Sequence, residues 1–418
     1  MTFMFSIAFL VFLGLYVKQV MPAPSPSEEM KYFIFVDAGS TGTRAYLYQL
    51  PRNYKLFQDQ FFITSLPFPI KERPFTSDPS GTFPIEEYVW SVTKDLLEKI
   101  NEDWSLRRFG PIPLYIFGTG GLRSLSPVNQ NKITEKLVNE LTNYNGFNID
   151  GVHIKVISGQ EEALYAWITA NYLDKKLNKE LTVGVSEMGG SSLQLAYQVK
   201  DVKGSPDNIV HLKLGSGHNY HVFTASFDDY GSDSVYNKYV QALSNQLKDE
   251  EASYCFPPGF NFTEEQSTKS VSKDPQGNFE NCSRSLKSIL DLNCIQAQCS
   301  INGKSLPPFD ANMKIYGLAS FYYITNDFKA YDEDNKLNKS KFVDEATKYC
   351  STQWEEIQKM TKIRYREKTC LKASYINLLL EKGFNITQGA EFYTVQNVND
   401  LKVSWTLGAL LHALNAED

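Results

Sequence analysis

Apolar and polar positions along this chain alternate between a strand rhythm and a helix rhythm. Tyr32 to Val36 is a run of aromatic and β-branched residues, the pattern of a buried strand. Asp37 ends it, Gly39, Ser40, Thr41, Gly42 and Thr43 make a tight turn, and Ala45 to Tyr48 resumes as a second strand. A further strand is expected near Phe61 to Thr64. Pro84 to Asn101 then places Tyr88, Val89, Val92, Leu96, Leu97 and Ile100 at helical spacing. Leu114 to Phe117 is a strand running into GTGGLRSL, Asn129 to Tyr144 a helix, and Val152 to Ile157 a strand. SGQEEALYAWITANYL follows as a helix with Glu161 and Glu162 in its first turn. From Val183 the strand–loop–strand theme restarts as VGVSEMGGSSLQLAY. Asp229 to Leu247 reads as helical, helical segments are expected around Ile315 to Asn326 and Lys341 to Met360, and VSWTLGALLHAL is an apolar helix. This order is an alternating α/β chain.

The repeated hairpin changes the picture most. A small-residue loop between two strands aims successive backbone N–H groups at one point, which makes a phosphate nest. The first loop carries Asp37 at its mouth, and the second carries Glu187 ahead of Gly189, Gly190, Ser191 and Ser192. Two facing copies grip one polyphosphate from both sides. Their separation is one domain's worth of chain, which points to two related lobes with a cleft between them.

The first twenty residues hold the apolar run FMFSIAFLVFLGLYV, short for a spanning helix and followed by PAPSPSEE. This reads as a secretory signal removed near Ala23, the alternative being an uncleaved anchor. No second apolar segment of that length follows, so no stable membrane span is expected after cleavage. All six cysteines (Cys255, Cys282, Cys294, Cys299, Cys350, Cys370) lie in the second half. No CxxC pair occurs and no histidine sits among them, which favours disulfides over zinc. Glycosylation sequons stand at Asn261, Asn281, Asn338 and Asn385. The 418 residues are 42% apolar, enough for two domains, and the net charge of −6 without a basic cluster argues against nucleic acid as a partner. An anionic substrate must therefore be neutralised locally, by a metal or by backbone amides.

Several residues carry candidate chemistry beside a plainer reading. Asp37 and Glu187 orient waters around Mg²⁺ or Ca²⁺, or cap their own turns. Glu162 takes a proton from an attacking water, or is an ordinary first-turn glutamate favoured by the helix N-terminus. Ser192 and Gln194 alternate along a strand, so they share one face and either hold that water or form a polar surface. Thr119 and Arg123 sit on a third glycine turn, Arg123 serving equally well as a structural ion-pair residue. His218 and His221 lack a nearby third ligand and make a poor metal site. Trp405 precedes an apolar helix and reads first as core. Tyr322 and Tyr323 offer a ring for a nucleobase to stack on, or pack as helix aromatics.

Together these pieces resemble the apyrase family, the nucleoside triphosphate diphosphohydrolases, defined by five short regions in fixed order. DAGSTGTR (Asp37 to Arg44) is a near-perfect match to the first, and FGTGGLRSL (Phe117 to Leu125) resembles the second, usually written ATAGMR. SGQEEALYAWITANYL (Ser158 to Leu173) resembles the third, EMGGSSLQL (Glu187 to Leu195) the fourth and IYGLASFYY (Ile315 to Tyr323) the fifth, the loosest. SWTLG at Ser404 to Gly408 is a further family feature.

The resemblance, from about Lys31 onward, implies an α/β protein of two actin/sugar-kinase-like (RNase H-like) lobes with a nucleotide cleft between them. Residues 30–158 and 396–418 then form lobe I, and 159–395 lobe II with a disulfide-rich insertion at about 250–310. It implies that Glu162 activates the water, that Ser192 and Gln194 place it, and that Gly39, Ser40, Thr41, Gly42, Thr119, Gly189, Gly190 and Ser191 bind phosphate. It implies that Asp37 and Glu187 hold the water shell of a divalent cation, Ca²⁺ or Mg²⁺, with Trp405 close by. The disulfides it implies are Cys255–Cys282, Cys294–Cys299 and Cys350–Cys370.

Three departures stand out. Glu187 replaces the usual aspartate and is one methylene longer, which affects the metal's water shell or the Ca²⁺/Mg²⁺ preference. Ala163 stands where glycine usually follows the catalytic glutamate, and Gly118 and Gly120 replace alanines. Gly42 resembles the soluble and Golgi-type members, which implies a lean toward diphosphates, with UDP or GDP handled at least as well as ATP. The expected product is a secreted nucleotide phosphohydrolase, with the secretory-pathway lumen or an N-terminal anchorage as alternatives. The rival readings are an exopolyphosphatase-like phosphohydrolase, disfavoured by the leader and the cysteines, and a secreted nucleotide-binding protein with little turnover, kept open by Glu187.

Overall fold

The computed structural model describes residues 30–51, 64–65, 70–72, 112–142, 149–177, 179, 181–200, 208–215, 218–245, 253–261, 275–291, 300–310, 312–363, 365–384, 386 and 390–417. The leader (1–23), the helix expected over Pro84 to Asn101, Cys294, Cys299 and Asn385 lie outside these residues.

Two mixed sheets repeat one plan. In the first, β1 (Met30–Gly39) pairs antiparallel with β2 (Gly42–Pro51) and parallel with β5 (Ile112–Gly118), which pairs parallel with β6 (Ile149–Val156). Two short strands, β3 (Thr64–Ser65) and β4 (Ile70–Glu72), add to β2. In the second sheet β7 (Gly184–Met188) takes the place of β1. It pairs antiparallel with β8 (Ser192–Gln198) and parallel with β11 (Lys314–Ala319), which pairs parallel with β12 (Glu391–Thr394). β10 (His218–Asp228) and β9 (Ile209–Leu214) extend it beyond β8. The registers match as well: Asp37 stands opposite Arg44 in one hairpin and Glu187 opposite Gln194 in the other.

Alternation along the strands builds the layers. Tyr32, Ile34, Val36 and Ala38 of β1 face Ile133, Leu137 and Leu141 of α2 (Pro127–Thr142), which follows the short α1 (Gly120–Arg123). Phe33 and Phe35 face the other way, into a core shared with α3 (Gly159–Leu173) and the last helix of the chain, Trp405–Glu417. The second sheet closes this core from its far side through Val185, Ala196 and Val222. Its other face, with Leu193, Leu195, Tyr197 and Phe223, is covered by α4 (Ser232–Asn245), α5 (Phe279–Ile289), α6 (Ser320–Asp327), α7 (Lys339–Ser351), α8 (Trp354–Gln358) and α9 (Arg366–Leu378). The chain thus forms two α/β bodies, with α3 and the Trp405–Glu417 helix, α10, between the sheets.

α3 owes its central place to its composition, since it is apolar on nearly every face and buried along most of its length. A capping box starts it: Glu161 N–H donates to Ser158 Oγ at 3.1 Å and Ser158 N–H to Glu161 Oε2 at 2.9 Å. α10 approaches so closely that a methyl at Gly408 would lie 1.9 Å from the Tyr165 carbonyl oxygen. Gly408 N–H instead donates to the buried Thr169 hydroxyl at 2.8 Å.

Two segments differ from the sequence expectation. Ile315 to Ala319, expected within a helical segment, is strand β11, because a short apolar run buried on both faces does not declare its period. The Lys341 to Met360 segment breaks into α7 and α8, Thr352 and Gln353 turning extended between them. Cys255 is bonded to Cys282 and Cys350 to Cys370, and no described cysteine is free. No helix among the described residues is long and apolar enough to cross a membrane.

Candidate active site

Three glycine turns meet where the two sheets end. The first is the Ser40–Thr41 tip of the β1–β2 hairpin, the second Gly189–Ser191 between β7 and β8, and the third Thr119–Gly121 after β5. Their lack of side chains is what lets them touch. A methyl at Gly190 would lie 2.3 Å from Thr41 Cγ2, one at Gly120 2.3 Å from Ser191 Oγ, and one at Gly121 2.8 Å from Ser40 Cα. The second loop is held from behind by the first amides of α4. Gly231 N–H donates to the Ser191 carbonyl, Ser232 N–H to Gly189, and Asp233 and Ser234 N–H to Gly190, at 2.9 to 3.1 Å. In a trans peptide the N–H points opposite to the preceding C=O, so the amides of Gly190, Ser191 and Ser192 face away from α4. That is the arrangement of an anion nest.

Three carboxylates gather at this junction. Asp37 leaves the end of β1, Glu187 the equivalent place on β7, and Glu162 the first turn of α3; Asp37 and Glu162 are buried. Burial raises the pKa of Glu162 to about 7, with Asp37 and Asp228 adding to the rise and Arg123 opposing it. Glu187 is pushed up to about 8 by burial and by the charges of Glu162 and Asp37. Asp37 is raised too by burial, against the pull of Arg44 and Lys402. Arg44 Nη1 lies 3.4 Å from Asp37 Oδ2, while Glu187 Oε2 is buried without a hydrogen-bond partner among the described residues. The site is short of positive charge.

Arg123, at the end of α1, spans the two halves. Its Nη1 donates to Glu162 Oε2 at 2.9 Å and to the Ile157 carbonyl at 3.2 Å, and its Nη2 to Ser192 Oγ at 3.3 Å. Gln194 Nε2 donates to the same Ser192 Oγ at 2.9 Å. One guanidinium therefore joins Glu162 to Ser192, and through Ser192 to Gln194, although the sequence alone reads Arg123 equally well as a structural ion-pair residue. Thr119 is buried at the start of the third turn, its N–H 3.3 Å from the Ala38 carbonyl.

The remaining candidates divide. Trp405 opens α10, buried, edge-on to Phe35 at 5.7 Å and stacked on Phe117 at 6.5 Å, behind the strand ends that carry Asp37. Tyr323 is exposed on α6 and close enough to influence Arg44, whereas Tyr322 packs edge-on against it at 5.6 Å. His221 packs on His211 across the outer hairpin, and His218 begins the strand that Asp228 ends. The histidines lie away from the carboxylates. Asn261 and Asn338 are exposed, Asn338 capping α7, and Asn281 is part-exposed in the first turn of α5. Asp228 and Ser226 were not foreseen, because their only signal is the cross-strand register of β10 with β8.

Known proteins share this architecture and sequence. A nucleoside triphosphate hydrolase from Neospora caninum superposes with a TM-score of 0.67 at 14% identity, over 93% of both chains. A Ppx/GppA family member from Aquifex aeolicus superposes with a TM-score of 0.51 at 15% identity, over 93% of this chain and 99% of that one; both show the fold. In sequence, the nucleoside-triphosphatase ntp-1 of Caenorhabditis elegans is 27% identical, covering 94% of this chain and 75% of its own. The ectonucleoside triphosphate diphosphohydrolase 1 of Rattus norvegicus is 27% identical, covering 93% and 82%. The Golgi apyrase of Schizosaccharomyces pombe is 26% identical, covering 93% and 76%. With a family match that runs over residues 24–418, through every element that builds the site, the chain belongs to the GDA1/CD39 (nucleoside phosphatase) family.

Proposed function

We propose that this protein removes the terminal phosphate of nucleoside tri- and/or diphosphates (ATP, ADP, GDP or UDP) by attack of a water that Glu162 activates. The observation that carries the reading is the gathering of Asp37, Glu162 and Glu187, each with a raised pKa, where three glycine turns meet. Water attacks the terminal phosphorus, its oxygen forms the new P–O bond, and its proton passes to Glu162. The anhydride bond breaks with its electron pair on the bridging oxygen, which stays with the shortened nucleotide as the leaving group. Glu162 Oε2 is tied to Arg123, so Oε1 takes the proton. A pKa near 7 keeps the base ionised in part at neutral pH while leaving it strong enough to accept the proton. Outward-facing amides of the second loop and the Ser40–Thr41 tip hold the phosphate oxygens.

The residues fit a divalent cation, Ca²⁺ or Mg²⁺. Glu187 Oε2 is an orphaned buried acceptor, and the mutual repulsion of three carboxylates calls for positive charge. Among the described residues no three side chains of ligating type converge to hold an ion directly, so Asp37 and Glu187 would do so through waters, beside Trp405. Such an ion supplies charge neutralisation of the phosphate oxygens. The exposed Tyr323, with Tyr322, offers a stacking face for the base. The leader, the disulfides and the sequons support passage through the secretory pathway, with glycans at Asn261, Asn281, Asn338 and Asn385 and a third disulfide, Cys294–Cys299. The two lobes of this reading divide at about residues 158 and 396.

The test is phosphate release from adenosine, guanosine and uridine tri-, di- and monophosphates and from long-chain polyphosphate. Release from tri- or diphosphates that stops in EDTA and returns with Mg²⁺ or Ca²⁺ is expected. Zinc alone should not restore it, because the ligands are oxygens. Release from polyphosphate alone, nucleotide binding without release, or full activity in the chelator overturns the reading.

A further inference from the structure

Beneath the catalytic side chains lies a closed ring of hydrogen bonds. The antiparallel register of β8 and β10 sets Ser192 opposite Asp228 and Gln194 opposite Ser226. Arg123 Nη2 donates to Ser192 Oγ at 3.3 Å and to Asp228 Oδ1 at 3.1 Å. Ser226 Oγ donates to the same Asp228 Oδ1 at 3.3 Å. Gln194 Nε2 closes the circuit, donating to Ser226 Oγ at 3.1 Å and to Ser192 Oγ at 2.9 Å. Lys304 anchors the strand here by donating to the Ser226 carbonyl, and Gly159 at the start of α3 leaves no room for a methyl beside Ser226 Oγ.

We infer that Ser192 and Gln194 together hold the attacking water and that Asp228, through Ser226, sets the hydrogen-bond polarity of this pair, making Asp228 a positioning residue for the hydrolysis proposed above. The argument is a count of protons. An ionised carboxylate only accepts, so it claims the single proton of Ser226. Ser226 Oγ must then accept from Gln194, which fixes the amide nitrogen on the ring side and turns Oε1 to the opposite side. Ser192 Oγ already accepts from Arg123 and Gln194, so its own proton is free to point out of the ring. The pair thus presents one donor, the Ser192 hydroxyl, and one acceptor, Gln194 Oε1. A water that accepts from Ser192 and donates to Gln194 and to Glu162 has one lone pair left, and that one is available to attack phosphorus. Without Asp228 nothing in the ring is acceptor-only, the Ser226 proton can turn toward Gln194, and the amide is free to flip.

The inference rests on the reading of the site as hydrolytic, and the test separates the two. The Asp228 side chain is 61% exposed, so Asp228→Ala should leave the fold intact. Its kcat on the preferred nucleotide should fall about tenfold or more with KM within about threefold, since orientation of the water matters in the transition state. Asp228→Asn keeps an oxygen that accepts from Arg123 and Ser226, and should recover most of the rate. Because Asp228 acts through Gln194, adding Asp228→Ala to Gln194→Ala should cost little more than Gln194→Ala alone. If Asp228→Ala lowers the melting temperature, Ser226→Ala replaces it, with the same loss in kcat expected. An active parent whose kcat is indifferent to both variants, or a loss that adds in full to that of Gln194→Ala, overturns the ring alone. A parent that hydrolyses no nucleotide overturns the functional reading as well.

Discussion

Replacing Glu187 with glutamine should change how the metal-free protein responds to pH. A glutamate free in solution titrates near 4.5, and burial with the charges of Glu162 and Asp37 lifts Glu187 to about 8. Between those values the folded state holds a proton that the unfolded chain has lost. The contribution of this group to stability is therefore full below about 4.5 and is lost as pH rises through about 8. The displacement is worth about 5 kcal/mol as an upper bound, at about 1.4 kcal/mol per pH unit; relaxation of the loop reduces it to roughly 2–5 kcal/mol. Glutamine cannot ionise, so the variant escapes this loss. Any cost of placing its amide at the orphaned Oε2 position is the same at every pH. Thermal unfolding in EDTA at pH 5.5 and 8.5 reads the effect. Relative to the parent, Glu187→Gln should gain several degrees at the higher pH over its value at the lower. Adding Ca²⁺ or Mg²⁺ at pH 8.5 should stabilise the parent more than the variant. A melting-temperature difference, variant minus parent, that is the same at both pH values or more positive at pH 5.5 would refute the account of a charge-starved site.

Two further outcomes follow from the packing. Gly121→Ala should destabilise the fold by about 1–3 kcal/mol and so lower the melting temperature, since its methyl meets the Ser40 backbone at 2.8 Å, although alanine is the better helix former; Gly189→Ala, which meets only the Ser192 carbonyl at 3.5 Å, should not. Equal melting temperatures for the two variants would show that the loops are not in contact. Reductant should also lower the melting temperature, Cys255–Cys282 and Cys350–Cys370 each stabilising by roughly 3 kcal/mol, and peptide mapping that finds these four as free thiols would contradict it.

The two hairpins were legible in the sequence because each combines a buried strand, an acidic residue and small residues within a dozen positions. Such a pattern is local, and it survives without knowledge of the fold. For Glu162 the local sequence left base and first-turn glutamate equally open, and only the family resemblance favoured the base, since what raises its pKa is burial between two sheets, a tertiary fact. Arg123 was seen, but its partners Glu162, Ser192 and Asp228 come from three separate elements, so nothing near it distinguishes it from a surface ion-pair residue. Ser226 and Asp228 were missed because register, not composition, brings them beside Ser192 and Gln194. β11 was misread as helix for the opposite reason. Its five apolar or small residues carry too little periodicity to separate a central parallel strand from a buried helix turn.

The central claim is that Glu162 acts as the general base, and its most direct test is the turnover of Glu162→Gln. Glutamine keeps an oxygen that accepts from Arg123 Nη1, now 2.9 Å from Glu162 Oε2, so the guanidinium keeps its place. It removes one negative charge from the site, so anionic nucleotide should bind no worse than within about tenfold of the parent. Loss of a general base costs about 10²- to 10⁴-fold. Single-turnover phosphate release, measured beside nucleotide affinity, should show kcat reduced by at least about 100-fold with binding retained. A variant that still hydrolyses at more than about a tenth of the parent rate would contradict the assignment of Glu162 as the base.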